Sequence, residues 1–593
     1  NGGHIASSLG ATEIIIALHR VLNCPFDKII FDVGHQAYAH KLLTGRYKDF
    51  NTLRTANGIS GFPKINESVY DFNDAGHASD SLSFAMGYAF ARDADEQQNV
   101  VAVVIGDASF AGGMIFEAIN HLGNEKTKLI IILNDNGMSI SKNRGSFARM
   151  LAQSRMSKNY INARDFVNTK MQSRGKLTSF LMDKGNLAKN SFKQFVLPQG
   201  MLFEQLGLTY AGPFDGHNIS TLQAMIKEAK KIDGPVLIHA VTKKGKGYKP
   251  AEKHPDTFHG VSGFDIKTGS TSTDKHKITW TDVFGSQICK IAKKHDDVYA
   301  FTAAMTDGTG LKKFAKKFPE RFYDPGIAEA HAVALAAGLA HNNKVPYVAI
   351  YSSFLQRAFD QIIINTSLSN AHVVFCIDRA GLVGADGPTH HGAFDISYLR
   401  LIPNMKIIAP SDERSLRDAL TYAYSEKGPV AIRYARGKIA HLNEYLDKKL
   451  APVNFVHDQA HGRILLEDNT AQICILALGN MVEIALQTAK ILLAEGITVS
   501  VFDAIFAKPL DKELLKATLD YKLLVTLEDN NVEGGFGSAV AQCLCTSSHH
   551  PKIINLGLPD SFVGGGAIDA LRKSIGLDAK SIAENLKKQF QKL

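Results

Sequence analysis

The chain has 593 residues, of which 45% are hydrophobic, 21% charged and 9% aromatic, and it carries a formal net charge of +9. That length is too great for one hydrophobic core and implies roughly three or four domains. The composition is that of an ordinary soluble globular protein, its apolar runs (128–133, 373–377) are far shorter than a membrane span needs, and its basic residues are scattered, with one richer stretch at 141–193, rather than gathered into a nucleic-acid-binding stripe.

The chain opens at Asn1, without an initiator Met and inside what reads as a motif, so a preceding segment, and any targeting signal in it, is expected upstream. A cytoplasmic bacterial protein is the default expectation, with a plastid address left open. The six cysteines (Cys24, Cys289, Cys376, Cys474, Cys543, Cys545) have no CxxC spacing and read as buried, reduced thiols of a cytosolic protein. In chain order, the runs 100–105, 129–133, 236–240, 346–350, 373–377, 473–478, 499–502 and 523–527 read as strands, alternating with longer amphipathic stretches. Continuous Val, Ile and Leu runs suit strands covered by helices on both faces, hence parallel sheets and an α/β architecture. The polar stretch 267–277 is expected to link the first block to the second, and 436–470 the second to the third. The Lys-, Asn- and Ser-rich stretch 141–199 is expected to be a mobile excursion from the first block.

One local pattern carries chemistry. The strand at 100–105 runs into Gly106-Asp107, a helix is expected over 112–122, and the strand at 129–133 ends in Asn134-Asp135-Asn136. This is the size of one βαβ unit, in which both strands finish on the same sheet edge, where α/β folds place ligands. Asp107 and Asn136 then converge as hard oxygen ligands suited to Mg²⁺ holding phosphate oxygens. Gly106, Ala108, Gly112 and Gly113 let backbone approach a diphosphate. A helix cap for Asp107 and a turn for Asn136 explain the same two residues equally well.

The surroundings favour the first reading, because they resemble one family of transketolase-like enzymes, the 1-deoxy-D-xylulose-5-phosphate synthases. The resemblance rests on GGHIASSLG (2–10), FDVGHQAY (31–38), LTGR (43–46), ISGFPK (59–64), GGM (112–114), LNDNGMSIS (133–141), GPFDGHN (212–218), KKGKGY (243–248) and FHGVSGFD (258–265). It continues through FPERFYDPGIAEAHAV (318–333), YSSFLQRAFDQ (351–361), DRAGLVGADGPTHHGAFDISYLR (378–400), RYARG (433–437), LEDNNVEGGFGS (527–538) and NLGLP (555–559), in collinear order over nearly the whole chain.

The resemblance implies three doubly wound, transketolase-like α/β domains with mainly parallel sheets: 1–270 for the cofactor's diphosphate and metal, 271–450 for its pyrimidine, and 451–593 as a C-terminal domain. It implies thiamine diphosphate lying between the first two domains and Mg²⁺ held by Asp107, Asn136 and the Met138 backbone carbonyl. Glu329 matches the glutamate at the pyrimidine N1′ and Phe354 the aromatic stacked on that ring. Gly76, His77, Ala78, Ala108, Ser109, Tyr248 and His35 align with other cofactor-touching positions. His4, His35, His259 and His390, with Asp386, align with catalytic groups; Tyr351, Arg357, Arg379 and Arg436 align with or flank the substrate-phosphate site. The implied reaction is decarboxylative condensation of pyruvate with D-glyceraldehyde 3-phosphate to 1-deoxy-D-xylulose 5-phosphate, a precursor of isoprenoids, thiamine and pyridoxal, by a homodimer that needs neither membrane nor nucleic acid. His391, beside His390, is expected to point elsewhere.

Three positions depart from the family pattern. Ala108 stands where glycine is usual and would be strained at positive φ. Ala330 follows Glu329 where Gln is usual, and Asp80 adds a carboxylate near the diphosphate region. These changes leave open another aldehyde acceptor or a weakly active paralogue, whereas a ketose-transferring transketolase should lack the run 378–400.

Overall fold

The computed structural model describes residues 2–138, 145–156, 201–271, 278–446, 449–457 and 459–592. Of the excursion expected over 141–199, residues Ser146–Met156 form a helix, and the rest lies outside the described residues apart from Gly145. Residues 272–277 of the first expected linker lie outside them too. The chain divides into two compact units, Asn1–Thr273 and Asp274–Leu593.

The first unit holds β1 (Lys28–Phe31), β2 (Val101–Gly106), β3 (Leu129–Asp135), β4 (Thr209–Asp215) and β5 (Pro235–Val241). They form one sheet in the order β1-β2-β3-β5-β4, every neighbouring pair parallel. Alternate residues of β2 feed two cores: Ala102 and Val104 pack with Ile14, Ile15 and Leu18 of the helix Thr12–Val21, whereas Val101, Val103 and Ile105 pack with Leu82, Ala85 and Met86 of the helix Ser81–Ala94. A strand with no polar face is what two helical layers require. The β2–β3 register, Val104 opposite Ile132 and Gly106 opposite Asn134, brings Asp107 and Asn136 out at the same sheet edge.

The second unit continues with β6 (Val298–Phe301), β7 (Phe322–Tyr323), β8 (Val345–Tyr351), β9 (Val374–Ala380), β10 (Lys406–Ile408), β11 (Val430–Ala435), β12 (Arg463–Leu466), β13 (Ile473–Ala477), β14 (Val499–Asp503), β15 (Phe506–Lys508), β16 (Leu523–Asn531) and β17 (Lys552–Leu558). Two sheets result, ordered β15-β10-β11-β9-β8-β6-β7 and β12-β14-β13-β16-β17, parallel except for the antiparallel edge pairs β10–β15 and β12–β14. They share a core in which Phe375 and Ile377 of β9 pack with Cys474 and Leu476 of β13. This is the expected transketolase-like α/β architecture of three mainly parallel sheets. All eight strands read from the sequence are present. The edge strand β12 falls inside the stretch read as a linker, where Arg463 anchors it through bonds to Asp503, Asp412 and Ser411.

Among the described residues no helix is long and apolar enough to cross a membrane.

Where β9 ends, the chain turns sharply into the loop 381–392. Gly381 has φ +75°, and a Cβ there would lie 2.0 Å from Asp529 Oδ2. Backbone strain and overpacking together predict that Gly381→Ala costs about 2–4 kcal/mol. A thermal midpoint equal to wild type would contradict the placement of this turn.

Candidate active site

In the first unit three imidazoles face one another, with ring centroids 5.9 Å apart for His4–His35, 6.0 Å for His4–His259 and 5.2 Å for His35–His259. They come from three separate places: His4 precedes the helix Ile5–Gly10, His35 lies in the loop after β1, and His259 ends a short 3₁₀ turn, Thr257–His259. The Tyr38 hydroxyl accepts the His4 backbone N–H at 3.0 Å, and the Ser8 hydroxyl donates to the His35 carbonyl at 3.0 Å. Lys244 Nζ lies 3.1 Å from His259 Nδ1. Burial first, then the positive charges of Lys244 and the other two histidines, holds His259 well below the ordinary imidazole range. Burial also lowers Lys244 to about 8, against a smaller opposing pull from Asp107.

At the edge of the same sheet, Asp107 is 4% exposed and begins the short helix Asp107–Phe110. It accepts N–H bonds from Ala108 at 3.1 Å and Gly137 at 2.7 Å, and Asn136 Oδ1 accepts from the Met138 N–H at 3.0 Å. Burial and the neighbouring Asp135 push the Asp107 carboxyl well above its usual range. Two buried carboxyl groups side by side are the environment that a divalent cation relieves. Among the described residues no three His, Cys, Asp or Glu side chains cluster as a metal site, so a cation here would need neutral oxygens beside these carboxyl groups. The segment Gly76-His77-Ala78 runs past this edge, the His77 carbonyl accepting from Val33 N–H at 3.2 Å. The Ser79 hydroxyl donates to the Ser109 carbonyl at 2.8 Å, and a Cβ on Gly112 would meet that hydroxyl at 2.2 Å.

Tyr248 precedes the helix Lys249–Lys253; its ring packs on Phe258 and Phe264, and its hydroxyl donates to the Ile266 carbonyl. The three departures prove benign in geometry. Ala108 lies inside a helix and is spared positive φ; Asp80 is exposed before the helix Ser81–Ala94; Ala330 packs against the core of the second unit, while His331 is exposed.

The loop carrying His35 is fixed from behind by a buried polar network that the sequence did not reveal. His19 Nε2 and His40 Nδ1 are 2.9 Å apart, His40 Nε2 is 2.9 Å from Asp71, Arg46 donates to both Asp71 oxygens, and Lys41 pairs with Glu67. Burial, then the proximity of His40, lowers His19 to about 4. The folded state therefore keeps His19 neutral while the unfolded chain takes up a proton below about pH 6.5. The stability this contributes is complete above pH 6.5 and is lost as pH falls toward 4. In His19→Gln the side-chain amide still donates but does not titrate, so the fall in thermal midpoint between pH 6.5 and 4 should become shallower. Identical slopes would contradict the assignment.

In the second unit Glu329 opens the Ala-rich helix Glu329–Ala340. It is 4% exposed, its Oε2 has no hydrogen-bond partner, and the nearest cation, Arg357, stands 3.8 Å away. Burial raises its carboxyl pKa and Arg357 opposes only part of that rise. The ring of Phe354 stacks near Tyr351 (5.6 Å) and meets the ring of His390 edge-on (5.5 Å). Arg379 covers the Tyr351 ring at 3.9 Å. The Tyr351 hydroxyl is buried without a hydrogen-bond partner and lies against Gly308, where a Cβ would sit 2.1 Å from it. Arg436 donates to the Val383 carbonyl at 2.6 Å and lies 3.7 Å from Asp386, while Thr389 Oγ1 is 3.0 Å from His390 Nδ1. His391 does turn elsewhere, bridging Val383 N–H and the Gly564 carbonyl.

The second-unit candidates thus form the Glu329–Arg357 pair, the ring group of Phe354, Tyr351, Arg379 and His390, and the Arg436–Asp386 pair, and the first-unit candidates form the imidazole triangle and the carboxylate edge. Lys244 and Gly308 were missed. Lys244 sits within the motif KKGKGY, so its position was available, but its burial was not.

Residues 1–242 match a family model described as 1-deoxy-D-xylulose-5-phosphate synthase. Residues 276–440 match the transketolase pyrimidine-binding domain and 462–582 the transketolase C-terminal domain. Proteins with the name 1-deoxy-D-xylulose-5-phosphate synthase from Syntrophomonas wolfei subsp. wolfei and Carboxydothermus hydrogenoformans are 45% and 46% identical, over 100% of this chain and 91% and 94% of their own. The transketolase of Campylobacter jejuni subsp. jejuni is 18% identical over 99% of this chain and 96% of its own, with a TM-score of 0.45.

Proposed function

The chain belongs to the 1-deoxy-D-xylulose-5-phosphate synthase family, and on that premise we propose that it condenses pyruvate with D-glyceraldehyde 3-phosphate, releasing CO₂ and 1-deoxy-D-xylulose 5-phosphate. It is a transferase of transketolase type and depends on thiamine diphosphate, which when bound supplies a carbon nucleophile and an electron sink. The chain's own residues would hold that cofactor and its metal, orient the substrates and move the protons.

Glu329 would hold a proton at N1′ of the aminopyrimidine. The observation that carries this reading is its buried Oε2, desolvated and with no hydrogen-bond partner. A carboxyl whose pKa burial has raised is suited to sharing a proton with a ring nitrogen. Phe354 would supply a face for the ring. Asp107, Asn136 and the Met138 carbonyl would hold Mg²⁺, with the backbone of Gly76, His77, Ala78, Ala108 and Ser109 beside the diphosphate, and with Tyr248 and His35 near the cofactor. His4, His35, His259 and His390, with Asp386 beside the last, would move protons at the substrate carbonyl and hydroxyl oxygens. A His259 held neutral by its surroundings suits a hydrogen-bond donor that takes up charge reluctantly. Arg379 and Arg436 would take the substrate phosphate, with Arg357 and Tyr351 adjacent.

The expected domains 1–270, 271–450 and 451–593 are retained as part of this proposal, as are a homodimeric assembly and a cytoplasmic setting. The test is release of ¹⁴CO₂ from [1-¹⁴C]pyruvate. Release that requires thiamine diphosphate and Mg²⁺ and rises with D-glyceraldehyde 3-phosphate supports the reading. Release indifferent to that aldehyde, or stimulated only by another one, would overturn the acceptor.

A further inference from the structure

An open, mostly apolar cleft with two cations on its wall lies in the second unit, built from residues that the reaction does not use. Its volume is about 260 Å³, and it is lined by Arg400, Lys508 and Gln542 together with the apolar walls Ala507, Leu510 and Ala539. Arg400 ends the helix Asp395–Arg400 and reaches across to the carbonyls of Gly534 and Gly535, just ahead of the helix Phe536–Leu544. Lys508 ends the edge strand β15 and donates to the carbonyls of Arg400 and Ile402. Both cations are thus satisfied as hydrogen-bond donors by neutral oxygens, and among the described residues neither forms an ion pair.

Among the described residues, the charge acting on Lys508 is that of Arg400, and the one carboxylate acting on Arg400 is Glu528. Glu528 is 1% exposed and already accepts the N–H groups of Phe536 and Gly537, and burial pushes its acid up to about 7. Two cations therefore share one buried carboxyl group that is already committed to backbone N–H groups, in a half-buried cleft where like charges are poorly screened. Burial lowers the pKa of both, and Arg400 lowers that of Lys508 further.

We propose that this cleft is a binding site for a small phosphate monoester, its phosphoryl oxygens between Arg400 and Lys508 and its short carbon chain against Leu510 and Ala539. A guanidinium matches phosphate oxygens in a planar fork, and an ammonium adds a point charge. The volume is below the roughly 300 Å³ at which pockets begin to take drug-sized ligands, so the ligand is small. The site is separate from Arg379 and Arg436, and its occupancy does not depend on the reaction proposed above.

The probe is inorganic phosphate at constant ionic strength set with chloride, read as the shift in thermal midpoint of the full chain. Wild type should be stabilised by phosphate beyond chloride. Arg436→Ala should keep at least half of that shift, because the cleft is intact. Lys508→Met should lose at least half of it. Because Lys508 also holds the end of a helix, the decisive variant is Gln542→Glu on the exposed cleft wall. It places a carboxylate beside both cations, and should raise the midpoint without phosphate, remove most of the phosphate shift and leave turnover within twofold of wild type. A phosphate shift that survives in Gln542→Glu and Lys508→Met alike would overturn the proposal, as would one abolished by Arg436→Ala alone.

Discussion

Glu329→Ala is expected to lower turnover by at least about 10³-fold, equivalent to about 4 kcal/mol of barrier. The argument is local. Glu329 is held at the first turn of its helix with one oxygen buried and without a hydrogen bond, and among the described residues the cation paired with it, Arg357, stands 3.8 Å away. A carboxyl kept in that state without a ligand is costly to the fold, since an unsatisfied buried polar atom costs about 1–3 kcal/mol. Removing it should therefore leave the thermal midpoint of the ligand-free protein unchanged or higher while turnover collapses. Thiamine diphosphate affinity should change by less than about tenfold, because the diphosphate end of the cofactor is held elsewhere. Turnover within tenfold of wild type would sink the role assigned to Glu329. A loss of activity that tracked a lower midpoint would reassign the residue to stability.

Asp107→Asn should separate binding from stability in the opposite directions. In the folded chain the Asp107 carboxyl is buried beside Asp135 and its pKa lies well above the usual range. A raised carboxyl pKa means that folding is opposed progressively as pH rises above the unfolded value near 3.9. Asparagine keeps an oxygen for the Gly137 N–H but cannot ionise, so the ligand-free variant should melt higher than wild type at pH 7. With Asp107 in the proposed role, the substitution also removes a carboxylate from the Mg²⁺ site. The thiamine diphosphate and Mg²⁺ concentrations for half-saturation should rise by about 100-fold or more, read by calorimetry as well as by activity. Unchanged cofactor binding would remove Asp107 from the metal site. A lower midpoint in the ligand-free protein would show that the two carboxyl groups are already reconciled without a cation.

The parallel cores were legible because each central strand is a run of β-branched and aliphatic residues, VAVVIG and LIIILND being the clearest. The edges were not. Phe322–Tyr323, Lys406–Ile408 and Phe506–Lys508 are two or three residues long, too short to show a period, and the last leaves its own neighbourhood to pair antiparallel with β10. Asp107 and Asn136 could be placed from the βαβ spacing alone. Glu329 could not, since a Glu at a helix start is ordinary, and it stood out through the resemblance. The burial of Lys244 and the His19–His40–Asp71–Arg46 network stayed hidden, because their members lie far apart in sequence and only the fold makes them neighbours. The departures at Ala108 and Asp80 looked costly in sequence because backbone angle and exposure are properties of the folded chain.

The central claim is that the chain joins pyruvate to D-glyceraldehyde 3-phosphate, and it is tested most directly by ¹³C NMR of the product formed from [2-¹³C]pyruvate with thiamine diphosphate and Mg²⁺. The account predicts a labelled ketone carbon bonded to a methyl group on one side and to the former aldehyde carbon on the other, within a phosphorylated five-carbon sugar. Label recovered only in acetaldehyde or in products of pyruvate with itself, with D-glyceraldehyde 3-phosphate left unconsumed, would contradict it.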